Sequence, residues 1–441
     1  MKPSTGKRPS PGERLELDVG KPAPQGDMVS RWGNYVVFLE GGIPGEKVKA
    51  KMVKVESNHG RGRVTDVLAP SPERIPPPCP VFLRCGGCRY QHAQEGAQRR
   101  WKSQILSECL GRQAEVLEAS PAYRYRTKAQ PGVQIKRGKG VLSLLVRESH
   151  ERVETPDCLL YHTQVKEILD LALKDLPLDA AMSVRNIVVR AAPTTGQGLV
   201  ALVSRVRLGR KIEGWASSLI GKSGIQGVVE NVNPQSGAVI WGPESHLLAG
   251  KDEVKEKVAG IRFRIGAGDF FQASPEGAEA LVAHVKKRLG ERKSAGTLWD
   301  LYAGVGLFGL CLAPGFKKVI LVEENEEALK RATISAKEAG FRHVEIRTGT
   351  VDYTLRSLDA GPDDAVIVDP PRSGLSPKMK SLLRTAGFRD FLYVSCDPAT
   401  LARDLESLQG TYDILDVTGF DLFPQTAHVE AVVHLRAKRL A

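Results

Sequence analysis

The chain has 441 residues, 41% hydrophobic and 26% charged, and 63 Lys and Arg outnumber 51 Asp and Glu to give a net charge of +12. This length predicts two or three domains, and the composition excludes wholesale disorder, a collagen and a membrane bundle. No apolar run approaches the roughly 20 residues that span a bilayer, and the first residues lack the apolar stretch of a signal peptide, so we expect a cytoplasmic protein. The basic excess fits a nucleic-acid partner and equally a soluble surface with biased charge.

The N-terminal part of the chain, residues 13–70, predicts a small all-β barrel, because short alternating strands are separated by Gly-rich turns. In one strand Lys47, Lys49 and Lys51 share a face. Beyond Met52 the alternation inverts, which a strand accommodates only with a bulge or a change of burial. A lysine face suits the phosphate backbone of a nucleic acid, and it suits almost as well a solvated edge strand that avoids aggregation.

Three further segments surround or follow this barrel. Residues 1–12 are polar and rich in Pro, Gly and Lys, which predicts a disordered tail. The proline-rich residues 69–80 predict a stiff linker at the first domain boundary. Residues 76–260 then indicate an α+β region of short strands, with helical stretches near 94–111 and 162–175.

Strands and helices alternate through residues 261–441, which predicts a doubly wound, Rossmann-like α/β domain. Its first helix has Ser274 as N-cap and a proline in its first turn. A later helix runs from about Asn325 and ends at Gly340. The expected fold is thus multidomain: a small OB-like barrel, a central α+β region and a C-terminal Rossmann-like domain.

A glycine-rich turn follows the first strand of that domain, in W-D-L-Y-A-G-V-G-L-F-G at residues 299–309. Gly304 and Gly306 let the backbone approach a ligand closely. Glu323 ends the next strand, where an acid is placed to hydrogen-bond ribose hydroxyls. The pattern predicts a nucleoside cofactor without separating NAD from S-adenosylmethionine, although the lack of a clear G-x-G-x-x-G favours an adenosyl ligand.

A second strand end carries V-I-V-D-P-P-R-S-G-L at residues 366–375. The apolar strand delivers Asp369 to its carboxyl end, where open α/β sheets bind ligands, and two prolines fix the following loop. A strand-end Asp-Pro-Pro is typical of enzymes that place a planar base beside a bound methyl donor. A simple strand-terminating turn is the alternative, although it does not require Asp369 and Arg372 together.

Two later segments supply a candidate nucleophile and a candidate base. Cys396 ends an apolar strand, and Asp397 with Pro398 then predicts a helix N-terminus, whose partial positive charge stabilises a thiolate. The charge of Asp397 opposes this effect unless its carboxylate is used for capping. Glu430 lies in an apolar strand, which makes it either a paired carboxylate or a tuned acid or base. His428 nearby is more readily a satisfied polar residue than a partner.

Seven cysteines, an odd number with uneven spacing, do not fit the disulfide framework of a secreted protein. Three form C-x5-C-G-G-C and a fourth follows later, so that four thiols are available to a zinc ion or a [4Fe–4S] cluster. The spacing alone leaves zinc and iron–sulfur comparable. These four candidate ligands are Cys79, Cys85, Cys88 and Cys158. Cys109 and Cys311 lie in apolar helical sequence and are expected in the core.

Together these segments closely resemble the S-adenosylmethionine-dependent RNA 5-methyluridine methyltransferases, from about Val19 to His434. The resemblance is carried by a TRAM-like barrel followed by C-x5-C-G-G-C, FFQ at 270–272, D-L-Y-x-G-V-G, DPPRSGL, SCxPxTLARD and FPxTxHVE in that order. It implies a class I methyltransferase domain and, through the four cysteines, the iron–sulfur branch that modifies 23S ribosomal RNA. That branch binds a [4Fe–4S] cluster, so the resemblance favours iron–sulfur over zinc.

The resemblance also implies which residues act at the site. The family's nucleophile and general base fall on Cys396 and Glu430. Its cofactor-binding positions fall on Gln272, Tyr302, Glu323 and Asp369. Its cluster ligands fall on Cys79, Cys85, Cys88 and Cys158.

The expected function is therefore methylation of a uridine C5 in RNA by S-adenosylmethionine, with large-subunit ribosomal RNA as the favoured target and transfer RNA as the alternative. Two rival classes stay open: an RNA 5-methylcytosine methyltransferase, and a non-catalytic RNA-binding protein with a vestigial catalytic domain. RNA is the expected partner, no membrane is involved, and the expected state is a monomer. The target uridine is expected to flip out of its stack to reach the cysteine.

Overall fold

The computed structural model describes residues 8–237, 239–290, 296–355, 360–361 and 363–438. Their strands form three large sheets and one two-stranded hairpin. Across these ranges, no helix combines the length and the apolar character needed to cross a membrane.

The N-terminal sheet is a barrel of five short strands. They are β1 (Arg14–Asp18), β2 (Met28–Trp32), β3 (Tyr35–Glu40), β4 (Lys47–Val55) and β5 (His59–Ala69). The strand order is β1-β4-β5-β3-β2, and backbone hydrogen bonds of Gly20 and Lys21 with Val29 close the ring between β1 and β2. Alternate residues such as Leu15 and Leu17 are buried, as the two-residue period of a strand with one core-facing side requires.

The predicted tail spans residues 1–12. Residues 1–7 lie outside the described residues, and residues 8–12 are described. Of the remainder, Pro9 is buried, and the Gly12 N–H donates to the Met52 carbonyl at 2.8 Å. Residues 8–12 therefore lie against the barrel.

The strand β4 contains the bulge that its inverted alternation predicts. Its pairing with β5 shifts register between Met52 and Lys54, and the extra residue, Val53, is 60% exposed. The bulge leaves Val53 exposed and returns Val55 to the core, where it packs against the buried barrel residues.

Acidic residues accompany the lysine face of β4. Lys47 pairs in register with Asp18, and Lys49 pairs with Glu16, both across the β1–β4 ladder. Opposite charges on directly facing strand residues stabilise the sheet. The face is therefore of mixed charge at Lys47 and Lys49, whereas Lys51 faces Arg14. The strand β4 pairs with β1 and β5, so it is not the edge strand of the alternative interpretation.

A helix and a short strand follow the linker: α1 (Glu95–Leu110) and β6 (Glu115–Glu118). The central sheet then comprises β7 (Lys128–Ala129), β8 (Gly132–Lys136), β9 (Lys139–Leu145), β10 (Arg152–Glu154), β11 (Val184–Ala192), β12 (Gln197–Ser204), β13 (Ile225–Val232) and β14 (Glu244–Gly250). Its order is β10-β9-β8-β11-β12-β13-β14, with β7 paired to β11. The helices of this region are α2 (Thr163–Lys174), α3 (Leu178–Ser183) and α4 (Glu213–Leu219). They bury residues such as Ile168 and Trp215 against the sheet.

The C-terminal region begins with the hairpin β15 (Glu253–Val258) and β16 (Ile261–Gly266). Its remaining strands are β17 (Thr297–Leu301), β18 (Lys318–Glu323), β19 (Val344–Thr348), β20 (Ala365–Val368), β21 (Asp390–Ser395), β22 (Tyr412–Asp421) and β23 (Glu430–Ala437). Its helices are α5 (Pro275–Leu289), α6 (Leu307–Leu312), α7 (Glu326–Glu338), α8 (Val351–Thr354), α9 (Pro377–Ala386) and α10 (Pro398–Leu408).

The C-terminal sheet has the order β19-β18-β17-β20-β21-β23-β22-β6. Strands β17 to β21 pair in parallel, and β23 pairs antiparallel to β21. Two separate hydrophobic clusters cover the sheet, one on each face, which explains why its parallel strands are apolar throughout. The strand order reverses at β17, and ligands bind beside such a reversal, at the carboxyl ends of the strands.

One feature differs from the domain boundary that the sequence predicts at residue 260. The strand β6, assigned by sequence to the central region, pairs in parallel with β22 of the C-terminal sheet, with Gly419 opposite Val116. The preceding helix α1 packs on the same sheet through Leu106. An unpaired edge strand exposes a row of backbone donors and acceptors, so β6 covers the edge that β22 otherwise leaves open.

Candidate active site

The candidate nucleophile and base meet at the end of two paired strands. Cys396 directly follows β21, and Glu430 is the first residue of β23. In the antiparallel ladder Ser395 pairs with Ala431, so Cys396 and Glu430 are neighbours on opposing strands. Asp369 follows the adjacent parallel strand β20. The structure thus brings Cys396, Glu430 and Asp369 together at the carboxyl edge of the sheet.

The Cys396 thiol is partly buried, and its surroundings disfavour the thiolate. Burial raises its pKa to about 11, and the nearby carboxyl groups of Glu430 and Asp369 add to this effect. The Arg372 guanidinium acts in the opposite direction, through its charge and a hydrogen bond to the thiol. Arg372 is therefore the side chain that favours ionisation of Cys396.

The two carboxyl groups beside Cys396 are both shifted toward their neutral forms. Glu430 is only 4% exposed, and burial, followed by the charge of Asp369, raises its pKa well above the ordinary value. Burial raises the pKa of Asp369 to about 7. A carboxylate with a raised pKa is a stronger proton acceptor than one in water, which suits Glu430 to general-base chemistry.

The helix α10 begins immediately after Cys396, as its sequence predicts. Asp397 is the N-cap, and its Oδ1 accepts hydrogen bonds from the N–H groups of Ala399 at 3.1 Å and Thr400 at 2.9 Å. Pro398 occupies the first turn. The Asp397 carboxylate is thus used for capping. The partial positive charge of the helix N-terminus balances its negative charge, which reduces the effect of Asp397 on the Cys396 thiol.

A tight turn joins β17 to α6 beside this edge. Gly304 and Gly306 have φ of +55° and +83°, in the left-handed region that favours glycine. The Glu323 carboxylate, at the end of β18, accepts the Gly304 N–H at 2.9 Å and, through its other oxygen, the Asn325 N–H at 2.9 Å. One acid therefore fixes both the turn and the start of α7.

The predicted cofactor residues come from four separate segments. Tyr302, Glu323 and Asp369 follow or end the neighbouring strands β17, β18 and β20, so the topology brings these three to one edge. Gln272 is buried in the loop between β16 and α5. A glycine turn, a strand-end acid and a buried amide are the groups that bind a nucleoside, and this donor set fits an adenosyl ligand.

Cations from the central sheet hold the loop that carries Gln272. The fully buried Arg190 donates to the carbonyls of Gly266, at 3.0 Å, and Asp269. Lys128 donates to the carbonyls of Gly268 at 3.3 Å and Asp269 at 3.0 Å. The loop therefore depends on contacts from outside its own region.

The segment that leads to Glu430 is also held by hydrogen bonds from a part of the chain distant in sequence. Gln425 has a φ of +68° and is 2% exposed. Its N–H donates to Gln98 Oε1 at 2.9 Å, and Gln98 Nε2 donates back to Gln425 Oε1 at 3.0 Å. On the same helix, the buried Lys102 pairs with Asp421 at 2.5 Å and donates to the Phe423 carbonyl at 3.0 Å. The helix α1 thus holds residues 421–425.

His428 lies close to the site, and its Nε2 is 3.5 Å from Arg372 Nη2. Burial lowers its pKa to about 4, and the charges of Arg372 and Arg126 lower it further. The backbone N–H of His428 donates to Thr426 Oγ1 at 3.2 Å. This agrees with the interpretation of His428 as a satisfied polar residue.

The four cysteines of the predicted cluster line one cavity of about 160 Å³. They are Cys79, Cys85, Cys88 and Cys158, and all are free thiols. The Gly87 N–H donates to Cys85 Sγ at 3.4 Å. Within the described ranges, however, no group of three or more His, Cys, Asp or Glu side chains has the arrangement of a metal site. The thiols therefore share a cavity without forming a ligand set, and the iron–sulfur cluster is not confirmed.

Three side chains that support the site were given no role by sequence reasoning. Arg372 had a signal, since it stands in the Asp-Pro-Pro-Arg segment, yet only the structure shows it beside Cys396. Gln98 and Lys102 lie on a helix more than three hundred positions before the loop that they hold. No local pattern in the sequence links them to Glu430.

Residues 100–438 match the tRNA (uracil-5-)-methyltransferase family, and residues 10–65 match the TRAM domain. An uncharacterized RNA methyltransferase of Halalkalibacterium halodurans is 32% identical, over 96% of this chain and 97% of its own. One from Listeria monocytogenes serotype 4b is 31% identical, also over 96% and 97%. Among solved structures, the Pyrococcus abyssi tRNA (uracil-54, C5)-methyltransferase in complex with S-adenosyl-L-homocysteine has a TM-score of 0.76 at 23% identity, covering 95% of this chain and 99% of that chain.

The fold and the strand-end site define an S-adenosylmethionine-dependent RNA methyltransferase of class I, preceded by a TRAM domain. More particularly, the chain belongs to the tRNA (uracil-5-)-methyltransferase family. The expectations of a methyltransferase fold, of this methyl donor and of an RNA partner are therefore confirmed. The family also favours uracil C5 over cytosine, and an enzyme over a non-catalytic RNA-binding protein.

Proposed function

We propose that the protein methylates C5 of one specific uridine in RNA through a covalent bond between Cys396 and C6, with Glu430 as the general base. The observation that carries this proposal is the register of β21 and β23, which makes Cys396 and Glu430 neighbours at the ligand-binding edge. A nucleophile for C6 and a base for C5 must lie within reach of adjacent carbon atoms, and neighbouring strand ends provide this spacing.

The chemistry requires both groups. Uracil C5 is a poor nucleophile, and addition of the Cys396 thiolate to C6 forms a C6–S bond and leaves an enolate that is nucleophilic at C5. S-adenosylmethionine supplies an electrophilic methyl group on a sulfonium centre. After C5 has gained the methyl group, Glu430 removes the C5 proton, the 5,6-double bond re-forms, and the C6–S bond breaks to release Cys396.

Five residues prepare these steps. Arg372 lowers the pKa of Cys396 and of Glu430 against the effect of burial, so its charge favours the thiolate that attacks. Glu323 and the glycine turn that it fixes are placed to hold the nucleoside of the methyl donor. We assign Gln272, Tyr302 and Asp369 to the same donor pocket.

The favoured RNA is the large-subunit 23S ribosomal RNA, and transfer RNA is the alternative. The support for ribosomal RNA is the four-cysteine pattern, which is typical of relatives that act on it. The support for transfer RNA is the similarity in fold to the Pyrococcus abyssi enzyme, whose substrate is uracil-54 of tRNA. In either RNA the uridine is flipped out of its stack, and the enzyme acts as a monomer.

We further propose that the four cysteines bind a [4Fe–4S] cluster, with zinc as the alternative. Four free thiols line one cavity, and an N–H···S hydrogen bond reaches one of them, which suits a thiolate-bound cluster. Anaerobically purified protein is expected to contain about four iron and four sulfide per chain and to absorb in the visible region. Cys158→Ser should lose the iron, and Cys109→Ser should retain it. Stoichiometric zinc, or no metal, would contradict the cluster.

The mechanism is tested by two substitutions with radiolabelled methyl donor. Cys396→Ala is expected to abolish methylation, because no nucleophile then attacks C6. Glu430→Gln is expected to accumulate a covalent protein–RNA adduct stable to denaturing electrophoresis, because the C5 proton is retained and elimination fails. Cys311→Ala, which alters a buried thiol on α6 outside the proposed site, serves as the control and should methylate normally. Full activity of Cys396→Ala would overturn the mechanism.

The target is identified by mapping modified bases in total RNA from a strain lacking the gene. Loss of one 5-methyluridine from the large-subunit RNA is the expected result. Loss from transfer RNA would select the alternative target, and loss of a 5-methylcytosine would contradict the proposed reaction.

A further inference from the structure

Three arginines lie at one end of neighbouring strands of the central sheet. Arg152 begins β10, and its guanidinium lies over Gly132 of β8, where any Cβ would overlap it. Gly132 pairs in register with Asn186, so Arg185 is next to this point on β11. The Arg205 N–H donates to the Ser183 carbonyl at 2.9 Å, which places Arg205 beside the start of the same strand. We name Arg152, Arg185 and Arg205 the arginine cluster.

The arginine cluster has no carboxylate partner in the part of the chain that the structure describes. Other arginines pair with acids: Arg89 and Arg147, for example, both contact Asp27 at 2.6 Å. In the cluster, Arg185 donates only to the carbonyls of Gln235 and, at 3.1 Å, Gly237. Grouped guanidinium charges without an acid repel one another, and an anion bound among them relieves the repulsion.

The charge state agrees with this geometry. Burial, followed by the charges of Arg185 and Arg205, lowers the pKa of Arg152, although an arginine stays protonated at neutral pH. Arg152 and Arg185 are partly buried, and Arg205 is exposed, so the cluster is open to solvent on one side. A ligand with several anionic oxygens can therefore reach it.

The arginine cluster is connected to the loop of the candidate active site. Arg185 donates to the carbonyls of Gln235 and Gly237, and the nearby Asn233 side chain donates to the carbonyls of Val239 at 3.0 Å and Ile240 at 2.9 Å. Next to Ile240, the Trp241 indole packs on Gly268, where a Cβ would lie 2.8 Å from the ring. Gly268 lies four positions before Gln272, in the same loop.

We propose that the arginine cluster binds backbone phosphates of the substrate RNA. This inference depends on the proposed function in one respect: the substrate must be an RNA. The planar guanidinium offers paired donors that match phosphate oxygens, and phosphate contacts position an RNA without reading its sequence. The barrel face on β4, where acids oppose Lys47 and Lys49, is a weaker candidate for the same task.

The test is the salt dependence of RNA binding by the full-length protein without methyl donor. The probes are unmodified transcripts of 23S ribosomal RNA and of transfer RNA. Each of Arg152→Gln, Arg185→Gln and Arg205→Gln is expected to weaken binding roughly fivefold and to reduce the slope of log Kd against log salt by about 0.7–0.9. The triple variant should lose about 2.1–2.7 units of slope by the same rule.

Arg384→Gln is the matched control, because Arg384 is exposed on α9, donates to a backbone carbonyl and forms no ion pair within the described residues. It should leave both Kd and slope unchanged. Calorimetry with S-adenosylmethionine is expected to give the wild-type affinity for every variant. An unchanged slope in the triple variant, or a loss of methyl-donor affinity equal to the loss of RNA affinity, would overturn the arginine cluster as a phosphate site. Failure of the wild type to methylate either transcript would instead contradict the proposed function.

Discussion

At the scale of single residues, the environment of Cys396 sets the conditions for catalysis. A thiol with a pKa of about 11 is protonated at neutral pH, so the attacking thiolate is a minor species in the free protein. The carboxyl groups of Glu430 and Asp369 oppose that thiolate, and the Arg372 guanidinium attracts it. The balance between burial and this one guanidinium therefore controls the nucleophile.

Arg372→Met is expected to raise the pKa of Cys396, because it removes the charge that opposes burial. The ascending limb of the pH–rate profile for methylation should move to higher pH, and the rate at pH 7.5 should fall by about tenfold for each unit of that displacement. Arg372→Lys should restore part of the rate. The measurement is kcat/KM between pH 6 and pH 10, and an unshifted profile would contradict this role of Arg372.

At the scale of elements, the helix α1 controls a segment of the C-terminal region that is remote in sequence. The Gln98 side chain donates to Gln425 Oε1 and accepts the backbone N–H of Gln425. The backbone N–H groups of Arg89 and Tyr90 also donate to the Gln425 carbonyl. This set of contacts holds Gln425 in its left-handed conformation, which costs energy for a residue other than glycine. The position of Glu430, five residues later, depends on that turn.

Gln98→Leu is expected to destabilise the fold and to slow catalysis. It leaves the buried N–H and amide oxygen of Gln425 without Gln98, which costs about 1–3 kcal/mol in the free energy of unfolding. The kcat should fall while the affinity for S-adenosylmethionine is retained, because Glu323 and its turn do not contact Gln98. Urea unfolding and single-turnover methylation measure the two effects. Gln104→Ala, exposed on the same helix, is the control, and equal behaviour of the two variants would contradict the prediction.

At the scale of the whole molecule, buried ion pairs attach the barrel to the rest of the chain. Asp27 accepts hydrogen bonds from Arg89 and Arg147, and Glu40 accepts one from Arg89 at 2.7 Å. A buried carboxylate is stable only with such partners, and these partners come from outside the barrel. The barrel orientation is therefore fixed by charge as well as by apolar contact.

Glu46 gives this attachment a dependence on pH. Its fully buried carboxylate contacts the linker residue Arg74 through both oxygens, at 2.5 and 2.7 Å. Burial raises the pKa of Glu46, but Arg74 and the N–H groups of Ser71 and Ile43 outweigh burial and place it below the ordinary 4.5. Because the folded-state pKa is depressed, the stabilisation is complete above pH 4.5 and is lost as pH falls through the folded-state value.

Glu46→Gln is therefore expected to lower the free energy of unfolding at pH 7 by about 3 kcal/mol, since it leaves Arg74 without its buried partner. The difference from wild type should shrink as pH falls below 4.5 and through the folded-state pKa, because wild-type Glu46 then also becomes protonated. Urea unfolding between pH 3 and pH 7 measures this. Glu16→Gln, exposed on β1, should change stability by less than about 1 kcal/mol at every pH. A difference for Glu46→Gln that is constant with pH would contradict the assignment.

Local patterns predicted the elements of this protein well. Ser274, Asn325 and Asp397 are N-caps because each side chain bonds the N–H groups that follow it, an interaction within a few residues. The bulge after Met52 was also predicted from a local signal, because the side chains of a strand alternate with a fixed period of two. The place of β6 on the C-terminal sheet was not predicted, because edge pairing joins segments about three hundred positions apart.

The sequence by itself determined the order of barrel, central region and Rossmann-like domain, and it placed Cys396, Glu323 and Asp369 at strand ends, because periodicity and capping are short-range effects. Only the tertiary structure decided that Glu430 lies opposite Cys396, that Arg372 opposes burial of the thiol, and that acids accompany the lysines of β4. It also decided that three arginines share one surface without an acid. Register between strands and the burial of charge depend on how distant segments pack, and no spacing along the chain encodes them.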